Sequence, residues 1–158
     1  MRVPKIYLET SVFNFCFADD APDKKQDTLK LFAEIEAGLY VPYTSAYVMQ
    51  ELIRADEPKQ SQMVALIEKY DMRFLEQSDA IRTLAGLYVA EGIIPAKHLT
   101  DALHIAAATV NDLDVVVSYN FKHIVKRKTV TMTEVVNLRE GYKRIGIFSP
   151  TEVIEDDE

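Results

Sequence analysis

The amino-acid sequence predicts an α/β protein with three layers, in which helices cover both faces of a mainly parallel central sheet. Two observations support this prediction. Short apolar segments alternate with amphipathic helical segments along the chain, which is the pattern of parallel sheets. Several of the apolar segments also end in polar side chains, and in open α/β sheets the carboxyl ends of the strands form the edge where ligands bind.

Five segments have the composition of short strands. The first, KIYL at residues 5–8, ends abruptly at Glu9, Thr10 and Ser11. The others are residues 39–43, residues 72–75, the β-branched run VVV at residues 115–117, and residues 145–148. Ser118 and Asn120 follow the fourth strand. The sequence therefore places polar groups at the ends of at least two strands.

Apolar residues at helical spacing predict the helices between these strands. The predicted helices are residues 26–37, a helix after Ser45 that runs to about residue 54, residues 60–70, a helix that opens at residues 78–81 and ends at Gly92, residues 99–110, and residues 134–143. The helix at residues 99–110 carries Asp101 in its first turn. Residues 18–25 are polar and contain Pro22, which predicts a loop.

The length and composition indicate an ordinary globular protein. The 158 residues predict a single domain, residues 1–150, and an acidic tail, residues 151–158. No apolar run approaches the roughly 20 residues of a membrane span, and no signal peptide is recognised. With the single Cys16, we therefore expect a cytoplasmic protein without membrane contact. A net charge of −7 argues against nucleic-acid binding by global electrostatics, but not against a local basic edge.

Four residues with side-chain oxygens are expected at the same edge of the sheet. Glu9 follows the first strand, Glu51 lies on the helix after the second, Asp101 begins the helix before the fourth, and Asn120 ends that strand. At the carboxyl edge of the sheet such residues can converge. Clustered carboxylates repel unless a cation lies between them, and hard oxygen ligands indicate Mg²⁺ or Mn²⁺. The sequence therefore predicts a metal site that activates water against a phosphodiester.

Each carboxylate also has a structural interpretation. Glu9 could be a solvated turn residue, Glu51 could pair with Arg54 on the surface of a helix, and Asp101 favours the positive end of a helix dipole. Taken singly, each residue fits a structural role better than a catalytic one. The metal site depends on all of them sharing one edge of the sheet.

The three histidines carry a weaker signal. His104 lies three residues after Asp101 on the same side of its helix, within reach of the predicted site, although a buried histidine with one hydrogen bond is the simpler interpretation. His98 and His123 are predicted to lie in loops. His123 with Lys122, Lys126 and Arg127 could contact a phosphate backbone, but runs of charge are usually just solvated.

Three stretches of this chain resemble the PIN-domain family, and specifically the VapC-like toxin ribonucleases of bacterial type II toxin–antitoxin systems. They are KIYLETSVFNF at residues 5–15, VPYTSAYVMQELIRA at residues 41–55, and LTDALHIAAA with DVVVSYNFKHIV at residues 99–125. The resemblance implies a parallel sheet flanked by helices and an acidic Mg²⁺ or Mn²⁺ site that cleaves RNA. Four residues match the acidic quartet of the family: Glu9, Glu51, Asp101 and Asn120. Thr10 and Ser11 match the hydroxyl position that follows the first acid.

Two positions depart from the common pattern of the family. The first acid is usually Asp and is Glu9 here, and the last position is often Asp and is Asn120 here. The predicted site therefore has three formal negative charges and should hold its metal more weakly. A related branch of the family resembles this chain in having Glu at the first position and Asn at the last.

The resemblance implies a metal-dependent endoribonuclease, with an antitoxin protein as partner and a homodimeric assembly. In this hypothesis Glu9, Glu51 and Asp101 hold the ion, and Asn120 orients the water or supports another ligand. Substrate contacts or support for the ligands are expected from Thr10, Ser11, His104, Lys122 and His123. The alternative is a non-catalytic PIN-like module that binds RNA or a protein, which the two departures motivate.

Overall fold

The computed structural model describes residues 2–155 of the chain. The strands are β1 (Lys5–Leu8), β2 (Val41–Ser45), β3 (Arg73–Leu75), β4 (Val115–Val117) and β5 (Gly146–Phe148). The helices are α1 (Thr10–Phe15), α2 (Pro22–Glu36), α3 (Ala46–Leu52), α4 (Lys59–Lys69), α5 (Asp79–Ala90), α6 (Leu99–Val110), α7 (Arg127–Arg139) and α8 (Pro150–Val153). A 3₁₀ turn, Ala96–His98, leads directly into α6. None of the helices in this part of the chain is long and apolar enough to cross a membrane.

The five strands form one parallel sheet in the order β3-β2-β1-β4-β5. Tyr7 of the central strand β1 pairs with Tyr43 of β2 on one side and with Val116 of β4 on the other. The side chains of Ile6, Tyr7 and Leu8 are fully buried. Burial on both faces explains why β1 is almost continuously apolar. The structure confirms the predicted three-layer α/β/α fold with a parallel sheet.

The direction of strand addition reverses beside β1, because β2 lies on one side of it and β4 on the other. The Glu9 N–H donates to the Val117 carbonyl oxygen at 3.1 Å, so the chain is still paired with β4 as it leaves β1. In open α/β sheets a crevice forms at such a reversal, outside the carboxyl ends of the strands. The fold thus places Glu9 and Ser118 at the usual ligand-binding position.

Two helices, α2 and α7, differ from their predicted ranges by more than two residues. The predicted loop at residues 18–25 contains the first turn of α2, because Pro22 occupies the first helical position, where its fixed φ fits and its missing N–H is not needed. The helix predicted at residues 134–143 is α7, which begins at Arg127 and ends at Arg139. Gly141, with φ of 88°, follows the end of α7. The basic residues after Lys126 therefore lie on the first turn of α7.

The predicted acidic tail lies partly within the described residues. It includes most of α8, which packs against α2. The Tyr40 hydroxyl donates to the Val153 carbonyl oxygen at 3.0 Å, and the Glu155 N–H donates to the Glu34 carboxylate at 2.9 Å. Residues 156–158 lie outside the described residues. The boundary between domain and tail at residue 150 stays a prediction.

Candidate metal centre

Glu9 is a buried carboxylate at the start of α1. It is the N-cap of this helix, where its Oε2 accepts a hydrogen bond from the Ser11 N–H at 3.2 Å. The Ser11 hydroxyl donates to Oε1 at 2.6 Å, and the Ser118 hydroxyl, from the end of β4, donates to the same oxygen at 2.5 Å. Only 5% of Glu9 is exposed. These donors therefore replace the water that the carboxylate loses on burial.

Glu51 reaches the end of β1 from the last turn of α3. The Ser45 hydroxyl accepts a hydrogen bond from the Val48 N–H at 3.2 Å, so α3 begins directly at the end of β2. The Thr10 hydroxyl donates to Glu51 Oε1 at 2.6 Å, and His104 Nε2 lies 2.6 Å from the same oxygen. Both contacts end on Oε1, which leaves Oε2 available to a cation.

His104 connects Glu51 to the core of the sheet. Its side chain is fully buried on α6, and its Nδ1 lies 2.6 Å from the Tyr7 hydroxyl. That hydroxyl in turn lies 2.7 Å from the Ser45 hydroxyl. A charged imidazole donates from both nitrogens, so the Tyr7 hydroxyl oxygen accepts from His104 and the Tyr7 hydroxyl donates to Ser45. The chain of contacts therefore satisfies every ring nitrogen of a protonated His104.

The surroundings of this pair favour its charged form. Burial opposes the charge on Glu51, but the hydrogen bond and the charge of His104 outweigh it and hold the pKa of Glu51 below its usual value. Burial likewise opposes the charge on His104, yet the Glu51 hydrogen bond and the charges of Glu9, Glu51 and Asp101 raise its pKa. The 2.6 Å contact and the directions of both pKa shifts favour an ion pair between Glu51 and His104.

The ion pair predicts how stability depends on pH in protein kept free of metal with EDTA. Because folding raises the pKa of His104, its protonation stabilises the folded state. This contribution is complete at a pH below 6.5, the ordinary pKa of histidine, and is lost as the pH rises through the pKa of the folded state. Because folding lowers the pKa of Glu51, its ionisation stabilises the folded state at a pH above 4.5, the ordinary pKa of glutamate. This contribution is lost as the pH falls through the pKa of the folded state. We expect the difference in unfolding free energy between wild type and His104→Gln, measured in urea, to be largest between these two values. A difference that is constant from about pH 5 to about pH 9 would contradict the ion pair.

The carboxylates fit a hard divalent cation. One ligand atom each of Glu9, Glu51 and His104 lie within 4.8 Å of one another. Two carboxylates this close repel unless positive charge lies near them, and carboxylate oxygens are the ligands that Mg²⁺ and Mn²⁺ prefer. Because both nitrogens of His104 already contact protein groups, His104 holds Glu51 in place and is not directed at an ion.

Asp101 lies beside this group on α6. It is three residues before His104, on the same side of the helix, and its charge contributes to the raised pKa of His104. Its neighbours in space are His98 and His123, and one ligand atom from each of these three residues lies within 4.8 Å of the other two. Asp101 therefore borders two groups of side chains.

Asn120 links the two groups. Its N–H donates to the Ser118 hydroxyl oxygen at 2.9 Å, and that hydroxyl contacts Glu9. Its side-chain Oδ1 accepts a hydrogen bond from the His123 N–H at 2.9 Å. Asn120 therefore fixes the turn after β4 that carries His123.

No protein-family model matches the chain, and no curated protein matches it in sequence. A solved structure matches with a TM-score of 0.55, the crystal structure of VapBC2 from Rickettsia felis bound to a DNA fragment from their promoter. The alignment covers 92% of this chain and 98% of the matched chain at 14% sequence identity. The fold is PIN-like. At this level of identity the match shows the fold alone.

The structure divides the predicted site residues between neighbouring groups. Glu9 and Glu51 meet, with the Ser11 and Thr10 hydroxyls bound to them, whereas Asp101 contacts a different set of side chains. Lys122 is exposed on the turn beside His123. His104 is buried as the simpler interpretation held, but it makes two hydrogen bonds and not one.

Three residues of the candidate site could not be recognised, or were not recognised, from the sequence. The sequence identifies Ser118 only as a strand-end residue, because its hydrogen bond to Glu9 joins strands that are distant in sequence. Tyr7 lies inside an apolar strand, and nothing in the sequence around it indicates a contact with His104. His98 could have been found, because it lies three residues before Asp101, the spacing of helical neighbours.

Proposed function

We propose that this chain is a metal-dependent endoribonuclease and the toxin of a toxin–antitoxin pair. The observation that carries the proposal is the approach of the Glu9 and Glu51 carboxylates at the reversal point of a PIN-like sheet, beside Asp101. The match in fold to VapBC2 and the sequence motifs described above support it.

In this proposal Glu9, Glu51 and Asp101 would hold Mg²⁺ or Mn²⁺, and Asn120 would orient the attacking water. Bound there, the ion would lower the pKa of a water and stabilise the charge that develops on the phosphodiester. The protein's own contribution is to fix the carboxylates. Ser118 holds Glu9, and His104 holds Glu51, through the hydrogen bonds described above.

The surface next to Asn120 supports a single-stranded nucleic acid as substrate. Half of the Phe121 side chain is exposed, and the Lys24 Nζ lies 5.8 Å from its ring centroid. A cavity of about 420 Å³ lies against Phe121, with Phe148, Lys126 and Arg127 in its lining. Exposed aromatic rings stack on bases and nearby cations contact the phosphates, as in proteins that bind single strands. Lys24, Lys126 and Arg127 form a basic patch here, beside the single carboxylate of Glu152 in the cavity lining. We propose that this patch compensates locally for the overall charge of −7.

The protein partners follow from the same resemblance. We propose a small antitoxin that covers the metal centre, a homodimer, and action in the cytoplasm. The exposed apolar side chains of Met132, Val135 and Leu138 lie three residues apart along α7 and offer a surface for a protein partner. The thiol of Cys16 is buried, as expected for a structural residue.

Cleavage of RNA under controlled metal conditions tests the enzymatic proposal. Purified protein is treated with EDTA, freed of the chelator, and mixed with a pool of structured and single-stranded RNA. We expect cleavage with Mn²⁺ and with Mg²⁺ and none with EDTA, because the carboxylates need the ion to act on the phosphodiester. Cleavage products are resolved by gel electrophoresis.

The control for this experiment is Asp101→Asn, purified in the same way. Cleavage that persists in EDTA, or that this variant retains in full, would contradict the proposed centre. Restoration of cleavage when Mn²⁺ replaces EDTA shows that the chelator did not unfold the protein.

A second candidate is a PIN-like module that binds RNA without cutting it. One observation favours it: both oxygens of Glu9 and the amide oxygen of Asn120 already accept hydrogen bonds from the protein. Folded protein that cuts no RNA in either metal, and whose melting temperature does not rise with Mn²⁺, would establish this candidate in place of the first.

A further inference from the structure

His98, Asp101 and His123 form a compact group outside the Glu9, Glu51 and His104 contacts. One ligand atom from each lies within 4.8 Å of the other two. We propose that these three residues bind a divalent transition metal of the Zn²⁺ class. This inference goes beyond the nuclease proposal and does not depend on it.

The backbone holds all three residues in place. His98 ends the 3₁₀ turn, where its N–H donates to the Pro95 carbonyl oxygen at 2.9 Å, and Asp101 lies one turn further along, in α6. The His123 N–H is bound to Asn120, and the His123 carbonyl oxygen accepts a hydrogen bond from the Thr129 hydroxyl at 2.7 Å. The side chains therefore extend from fixed points, and binding a metal requires only side-chain rotation.

The ligand atoms are near one another but not bonded to one another. His98 Nδ1 lies 4.0 Å from Asp101 Oδ2, which is too far for a hydrogen bond. The His98 and His123 rings lie with their centroids 4.0 Å apart. His123 Nε2 is buried and has no hydrogen-bond partner among the described residues. A buried nitrogen without a partner is rare in folded proteins and here has a lone pair to offer a metal.

The donor set selects the kind of metal. Two imidazoles and one carboxylate suit Zn²⁺ and Co²⁺, whereas Mg²⁺ prefers oxygen ligands. Ligands at about 2.0–2.1 Å from a tetrahedral ion are about 3.4 Å apart, so the gap between His98 and Asp101 must close by about half an ångström. The His98 side chain is 35% exposed, which gives an ion a path to the site. Three protein ligands leave one position for water or another ligand.

The site would be chemically distinct from its neighbour. The Glu9 and Glu51 carboxylates suit a hard ion, while the His98 and His123 imidazoles suit a softer one. Asp101 borders both groups. An ion bound to the histidines would therefore neutralise part of the negative charge that Asp101 otherwise directs at Glu9 and Glu51.

Binding of Co²⁺ followed by visible absorption tests the proposal directly. The protein is purified without a polyhistidine tag and treated with chelator, and Co²⁺ is then titrated. We expect one equivalent to produce visible bands of a low-coordinate cobalt site, and Zn²⁺, but not excess Mg²⁺, to abolish them. His98→Ala and His123→Ala should each weaken binding by more than the roughly 10–100-fold seen when an outer partner of a ligand is lost.

Glu51→Gln is the matched control, because it removes a carboxylate from the neighbouring group and should leave the cobalt bands unchanged. Circular dichroism establishes that each variant is folded, and His98→Gln, which keeps the size of the side chain, repeats the test if His98→Ala does not fold. Histidine variants that bind Co²⁺ like wild type, or cobalt bands that disappear in Glu51→Gln, would overturn the proposal. An inactive nuclease with intact cobalt binding would contradict only the proposed function.

Discussion

We expect Glu51→Gln to lower the rate of metal-dependent RNA cleavage by at least about 100-fold, because it removes one of the charged ligands of the proposed centre. The amide oxygen of the new side chain can still accept the hydrogen bonds from Thr10 and His104, so the geometry is retained while the charge is lost. Initial cleavage rates in Mn²⁺, together with the rise in melting temperature on adding Mn²⁺, measure the effect.

Glu36→Gln is the control for this substitution. Glu36 is an exposed carboxylate in the last turn of α2, so the same chemical change there should leave the cleavage rate unaltered. If Glu51→Gln cuts RNA as fast as wild type, the negative charge of Glu51 is not required and the proposed centre is wrong.

The second large effect is expected in stability. We expect His104→Ala to lower the free energy of unfolding by about 2–4 kcal/mol, since it removes the cation beside Glu51, leaves Glu51 and Tyr7 with only their contacts to Thr10 and Ser45, and opens a cavity beside α6. The value lies below that of a fully buried ion pair because 31% of the Glu51 side chain is exposed. Urea denaturation of metal-free protein near pH 6 measures it.

His98→Ala provides the comparison, because its imidazole is partly exposed and makes no close ion pair. We expect that variant to unfold within about 0.5 kcal/mol of wild type. Equal stability of wild type and His104→Ala would show that the contacts from Ser45 through Tyr7 to Glu51 do not support the fold.

The sequence was sufficient to predict the layers and the edge of the sheet. The runs ending at Glu9 and Asn120 could be recognised because strands buried on both faces are almost wholly apolar and end sharply at polar residues. Position along the chain then assigned Glu9, Glu51 and Asp101 to one edge. The actual approach of Glu9 and Glu51 could not be predicted from the sequence, because it depends on the pairing of β1 with β2 and on where α3 begins.

The remaining contacts have no local signature. Tyr7 lies in a strand whose sequence indicates only burial in the core, and no nearby residue indicates that its hydroxyl contacts a buried histidine. The hydrogen bond from Ser118 to Glu9 and the meeting of His98 with His123 join segments that only the completed fold brings together. The start of α7 was missed because Lys126, Arg127 and Lys128 suggest a solvated loop, although basic residues are good helix formers.

The position of β1 at the middle of the sheet has a consequence for synthesis on the ribosome. Its partner β2 emerges early, but Ile6 must wait for Val115 before its other side is paired. Until then β1 is an apolar strand with one open edge, which is the kind of edge that joins to other chains and aggregates. Asp101 and Ser118 also arrive late. A nascent chain therefore has neither a protected β1 nor a complete candidate site until β4 has been made, and it acquires both together.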